Sequence, residues 1–244
     1  MKTRNERRIR GTGAAVLTAV GALLYPFAPQ DASAQGVVVD QGEFSVSVDG
    51  RQIGTEEFVV RRAGLGSGDK VFANGVVALE IGGAEQELRL IMRAAPGTGK
   101  TEQYEVEVRG TGAAQVRVSL TPQRRYVATI RSEDGAEDRE FQARPTTRVL
   151  ERDVAHHYYF LRNLRPDDEA HILEPRSRAQ ATATSGPHES TEIELSGTVV
   201  PARRVTFTLG DGEERTVWFD RQGRVLRVEV PARRYVAQRT DLVG

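Results

Sequence analysis

The sequence predicts a mostly β protein: a single curled antiparallel sheet, an open barrel or β-roll, of about twelve strands with one covering helix. Three observations predict it. From Gly42 onward, apolar and polar residues alternate with period two. Turn dipeptides interrupt that alternation at intervals of about ten residues. One segment, Thr146 to Leu164, follows a helical spacing instead.

Taken in order, the strands are read from their alternation. Leu88, Leu90 and Met92 alternate with Glu87, Arg89 and Arg93. Tyr104, Val106 and Val108 alternate with Glu105, Glu107 and Arg109, and Val116, Val118 and Leu120 with Arg117 and Ser119. Near the C-terminus Val205, Phe207 and Leu209 alternate with Thr206 and Thr208, and Leu226, Val228 and Val230 with Arg227 and Glu229. Such strands bury one face and wet the other, the habit of antiparallel sheets. Turns are expected at Asp49-Gly50, Asn74-Gly75, Gly82-Gly83, Asp134-Gly135, Asp211-Gly212 and Gln222-Gly223. In Thr146 to Leu164 the apolar residues Val149, Leu150, Val154, Tyr158, Leu161 and Leu164 predict a helix of about four turns, closed by Arg165-Pro166. Arg176 to Ser190 reads as a ragged strand pair or an exposed loop. Pro122, Pro201 and Pro231 each read as a strand opening, where a missing N–H is harmless.

The first 34 residues read as an address. Lys2, Arg4, Arg7, Arg8 and Arg10 precede an uncharged run from Gly11 to Leu24, and Ala32-Ser33-Ala34 supplies small residues for cleavage. This predicts a signal peptide over 1–34 and a single antiparallel β domain over 35–244, periplasmic or secreted. The apolar run is shorter than the ~20 residues of a bilayer span, so no membrane span is expected after cleavage. The remainder carries 29 basic and 32 acidic residues, and 27 of the cations are Arg. Arginines in strands suit cross-strand pairing with carboxylates. The near-balance of charge argues against nucleic-acid binding. The absence of Cys excludes disulfides, thiolate zinc and cysteine catalysis.

Chemistry-bearing motifs are few. Ala94 to Thr101 (AAPGTGKT) resembles a phosphate loop. However, Ala94 replaces the first Gly, and Thr101 to Arg109 alternates as a strand where that motif requires a helix, so a hairpin loop and no nucleotide are expected. No Gly-x-Ser-x-Gly elbow occurs after the leader. His156 and His157, with Asp153, Glu169 and His171, form the densest group of imidazoles and carboxylates, but adjacent histidines lack the i, i+4 spacing of helical metal ligands. Trp218 falls on the face opposite Val217 and Phe219.

Three stretches carry a resemblance: Gly42 to Phe58 (GEFSVSVDGRQIGTEEF), Leu150 to Tyr158 (LERDVAHHY) and Trp218 to Pro231 (WFDRQGRVLRVEVP). Through them the chain resembles exported bacterial β-proteins of unknown function. These are similar in architecture to the periplasmic lipoprotein carriers, the LolA/LolB-like folds. The resemblance implies a curled sheet with a covered mouth and brings no catalytic residues. Three functional readings stand. The first is a non-enzymatic envelope protein without cofactor or metal, holding a lipid or other apolar ligand against Leu90, Met92, Tyr158, Leu161, Phe207 and Leu226. The second is an interaction or structural module docked on another envelope protein. The third is a hydrolase or metalloenzyme using His156, His157 and His171. An apolar cavity would favour the first, a filled core the second, and converging imidazoles and carboxylates the third.

Overall fold

Asp49-Gly50 and Gly82-Gly83 place both residues at positive φ (55° and 72°, 62° and 82°). That backbone matches the right-handed twist of the strands it joins, so each closes a tight hairpin. Repeated hairpins of this kind build one antiparallel meander. The structure is a computed structural model describing residues 36–241; the expected leader lies outside them.

Among the described residues fifteen strands form one sheet, more than the twelve expected. The first eight are β1 (Val37–Val48), β2 (Arg51–Ala63), β3 (Lys70–Ile81), β4 (Ala84–Ala94), β5 (Thr101–Gly110), β6 (Ala114–Leu120), β7 (Arg125–Ser132) and β8 (Gly135–Gln142). The rest are β9 (Thr147–Val149), β10 (Glu169–Glu174), β11 (Ala179–Leu195), β12 (Thr198–Leu209), β13 (Glu214–Phe219), β14 (Val225–Val230) and β15 (Tyr235–Arg239). Sequence neighbours pair throughout except β8 with β9, and the pairs are antiparallel except β9 with β10. The first strand pairs antiparallel with the last, Phe44 opposite Arg239. β9 pairs parallel with β10. β8 and β9 are the two edges of the sheet.

Those edges differ. β8 is almost wholly exposed, and Glu137, Asp138, Arg139 and Glu140 charge it against stray pairing. All of β9 and most of β10 are buried. Across the seam, the Gln180 side chain donates to the Gln142 carbonyl at 2.9 Å and accepts from its N–H at 3.4 Å, in the place of a missing strand.

The inward residues form one core. Leu88, Leu90, Met92, Val106, Val118, Phe207, Leu226 and Val228, the inward set read from alternation, are all at most 2% exposed. Leu226 sits at a bulge, beside Arg227 opposite Trp218 and Val225 opposite Phe219, and is buried apart from the main cluster. Trp218 is half-buried on the outer face beneath Arg227.

Four expectations fail. Thr146 to Leu164 is not a four-turn helix covering the mouth. It is β9, a bend, and a short 3-10 helix, His156–Leu161. Its Ala155 and His156 N–H groups are bound by Glu56 of β2, so tertiary partners override the helical spacing. Arg176 to Ser190, read as a ragged strand pair or a loop, is strand but a single one: from Ala179 it belongs to β11, held by β10 and β12, with a bulge between Ser185 and His188 that accommodates Pro187. Asn74-Gly75 is mid-strand; its register runs unbroken between β2 and β4. None of the three prolines opens a strand: Pro122 is in the β6–β7 turn, Pro231 starts a short 3-10 helix before β15, and Pro201 lies within β12, at a stretch that β13 does not yet flank, so its missing N–H breaks no ladder. The other five turn dipeptides lie at turns between strands, and Ala94 to Thr101 is the β4–β5 loop with a strand after it.

Candidate functional site

Antiparallel pairing sorts the turns to two ends of the curl. The β1–β2, β3–β4 and β14–β15 turns share one end, and the β2–β3, β4–β5 and β13–β14 loops share the other. Residues 150–164 run between these ends on the inside. Asp153 pairs with Arg233 of the β14–β15 turn. His156 then packs on Gly75, midway along the inner face of β3, where an added Cβ would lie 2.6 Å from its Cε1. Phe160 meets Gly99 of the β4–β5 loop, Asn163 donates to the Gly97 carbonyl at 3.1 Å, and Arg162 lies on Gly223 of the β13–β14 turn. The segment is therefore a plug through the curl, and all six residues of its 3-10 helix are buried.

The plug is polar at its middle. Glu56, fully buried on the inward phase of β2, accepts the Ala155 N–H at 2.6 Å and the His156 N–H at 2.7 Å, and bonds His156 Nδ1 at 2.7 Å. His157 Nδ1 accepts the Glu151 N–H at 3.1 Å, which leaves its proton on Nε2. Burial, then the neighbouring His156, holds His157 well below the usual imidazole range. The two rings meet edge to face at 4.7 Å, His156 stacks on Phe58, and both Nε2 atoms lack a hydrogen-bond partner. Glu151 is pushed up to about 7 by burial, against the pull of Arg176.

Two arginines deep in the curl are fully matched. Arg215 donates to Glu174 at 2.8 Å and Glu213 at 2.7 Å, and reaches the Tyr158 hydroxyl at 3.4 Å. Burial opposes its charge, but Tyr158, Glu174 and Glu213 outweigh burial and hold its proton above the ordinary range. Arg239 donates to Asp40 at 2.9 Å and to both oxygens of Asp241.

The residues read from the sequence as a ligand wall are distributed accordingly. Leu90, Met92 and Phe207 line the inner face of the sheet, Tyr158 and Leu161 belong to the plug, and all five pack in one core with Tyr104, Phe44 and Phe219. Leu226 lies apart from them. His156 and His157 do come together, but with no exposed surface; His171, on β10, instead bonds Thr147 at 3.1 Å. Among the described residues no group of three or more His, Cys, Asp or Glu has metal-binding geometry. Sequence reading missed Glu56, Arg215 and Arg239. The signal was present: each is a charge at an inward-phase position, Arg215 in step with Val217 and Phe219.

Open clefts lie outside the core. One, of about 560 Å³, runs over the outer faces of β2 to β5, with Val59, Val76 and Ile91 among Glu57, Glu105 and Glu107. Another, of about 640 Å³, lies where the plug emerges and includes Arg162, Arg203 and Arg221.

No family model matches the chain, and no curated protein matches it. Two solved structures superpose on it to different degrees. A beta-barrel-like protein of domain of unknown function DUF1849 from Brucella abortus superposes with a TM-score of 0.50 at 8% identity, covering 82% of this chain and 94% of that one. A DUF1089 family protein from Pseudomonas aeruginosa gives a TM-score of 0.40 at 13% identity, covering 73% and 90%. The first supports a β-barrel-like protein of unknown function. Neither speaks of a lipoprotein carrier or of export.

Proposed function

We propose that this β-barrel-like chain is a non-enzymatic, exported envelope protein that acts through its outer surface, as an interaction or structural module. The observation that carries the reading is the plug. Residues 150–164 occupy the space in which a carrier would hold an acyl chain, and Tyr158 and Leu161 fill it from within. A lipid lying against Leu90, Met92 and Phe207 would have to displace them. The buried imidazoles serve the plug: Glu56 ties it to β2, and His157 holds its turn at Glu151. The outer face supplies what the core withholds, with Ile91 at 57% exposure in one cleft with Val59 and Val76 and among carboxylates. Export rests on the basic and apolar pattern of residues 1–34.

Native mass spectrometry of the protein purified from its own envelope tests the reading. The expected spectrum shows the chain without lipid. A stoichiometric lipid would overturn it in favour of a carrier. A photo-crosslinking residue at position 91 gives the positive arm: a discrete adduct with one envelope protein is expected, and its absence in intact cells would count against an outer-face module.

A further inference from the structure

The cleft of about 640 Å³ beside the plug's exit has a chemistry that the outer-surface reading does not use. Arg162, at the end of the 3-10 helix, is half-buried; its guanidinium stacks on Tyr159 at 3.6 Å and donates to the Tyr159 carbonyl at 2.8 Å. Arg203, on β12, is also half-buried. It lies over Phe219 at 5.1 Å, contacts His188 Nδ1 at 3.1 Å and donates to the Arg162 carbonyl at 2.7 Å. Neither arginine has a carboxylate within ion-pair distance among the described residues, and the exposed Arg221 has none either. Asp220, in the same cleft, is bound by Arg224 at 2.6 Å. Ser190 and Asn163 add a hydroxyl and an amide to the wall.

Half-burying a cation costs free energy unless an anion meets it, which is why Arg215 and Arg239 carry two carboxylates each. The Arg203 guanidinium is tied to the Arg162 main chain at 2.7 Å, so both side chains belong to one wall of the cleft. Burial holds both below the ordinary arginine range, on Arg162 against the pull of Tyr159 and Asp40. Planar forks with free N–H groups suit a tetrahedral oxyanion held from two sides. The volume exceeds that of the anion alone and leaves room for an organic group attached to it.

We propose that this cleft binds a phosphate-bearing molecule, its oxyanion held by Arg162, Arg203 and Arg221. The same chemistry comes from a soluble phosphate ester or from a phospholipid headgroup, and the test separates them. The full chain is titrated with inorganic phosphate and glycerol phosphate by calorimetry at constant ionic strength. In parallel it is mixed with vesicles of phosphatidylglycerol or of phosphatidylcholine. Arg221→Gln and Arg203→Gln are each expected to weaken binding about tenfold, the loss of one charge-assisted hydrogen bond. Arg221 is exposed, so Arg221→Gln keeps the fold and remains informative if Arg203→Gln does not. Binding of the soluble esters, weakened in the variants, supports a free metabolite. Binding only to phosphatidylglycerol vesicles, weakened likewise, supports a headgroup. No binding of any probe, or binding equal in the variants, overturns the site.

Discussion

The arginines at the two ends of the plug are held in different ways. Where it enters, Asp153 meets Arg233, and nearby Glu174 meets Arg215. Where it leaves, Arg162 and Arg203 are held by carbonyls, rings and an imidazole, with no carboxylate. Arg148, buried near Gly99 of the β4–β5 loop, likewise donates only to a carbonyl. Among the buried arginines, Arg215 and Arg239 are matched by carboxylates and Arg148 is not. Matching at one end serves stability, because an unmatched buried carboxylate or guanidinium would oppose folding. At the other end carbonyls and rings hold the arginines without neutralising them, which is the charge the proposed anion would meet.

The largest effect that would break this contrast is at the matched end. Arg215→Met strands Glu174 and Glu213 beside the core, and chemical denaturation should show a loss of about 3–5 kcal/mol. Arg203→Met strands no carboxylate, and its midpoint should move far less. Equal losses would erase the distinction between the ends.

Protonation sharpens it next. Glu151 titrates in the fold at about 7, above its ordinary 4.5, so the native state binds that proton more tightly than the unfolded chain. Its contribution is complete below about 4.5 and is lost as pH rises towards 7; the shift corresponds to about 3 kcal/mol. His157, held below its ordinary 6.5, acts with the opposite sign: its contribution is present above 6.5 and lost as pH falls. The two trends oppose each other over the same window. Glu151→Gln should therefore unmask a stability that falls on acidification below 6.5. His157→Gln should unmask one that falls as pH rises from 4.5 to 7. Parallel unfolding curves for the two variants across that window would refute the assignment.

Midway between the ends the fit is steric. Gly75→Ala places a methyl 2.6 Å from His156 Cε1, and thermal melting should report a loss of about 1–3 kcal/mol. The smallest expected effect is in the β4–β5 loop near the plug's exit. Lys100 is only half-buried and makes no ion pair among the described residues, so Lys100→Ala should shift stability by no more than about 0.5 kcal/mol.

How far the sequence could be read follows from the period of each element. Strand alternation is a property of neighbours two apart, so Val106, Val118 and Phe207 were placed on the inner face correctly. The plug is different. Val154, Tyr158 and Leu161 recur at helical spacing because they are buried on a tightly wound path, and burial from all sides looks the same from a sequence as burial along one helix face. Glycine misled for a related reason. Asn74-Gly75 has hairpin chemistry, but Gly75 is small because an imidazole lies against it, and that ring comes from 81 residues further along the chain. The charges of Glu56 and Arg215 broke the inward alternation, and reading those breaks as designed polar positions would have located the interior network. The cleft at the exit was not legible. Arg162, Arg203 and Arg221 come from three separate elements, and only the fold gathers them.

The pairing of the first strand with the last has a consequence for biosynthesis. β1 leaves the ribosome carrying Phe44 and Val46, yet its second neighbour, β15, is the last of the described strands. Hairpins from β1 to β8 can zip locally as they emerge, while one flank of β1 stays open throughout. For the duration of translation the nascent sheet presents a long, partly apolar, unpaired border, the kind that recruits other chains. A holdase that shields this border until Tyr235 to Arg239 arrive would set the yield of folded protein, and truncations ending before β15 should accumulate as aggregates rather than as a smaller soluble sheet.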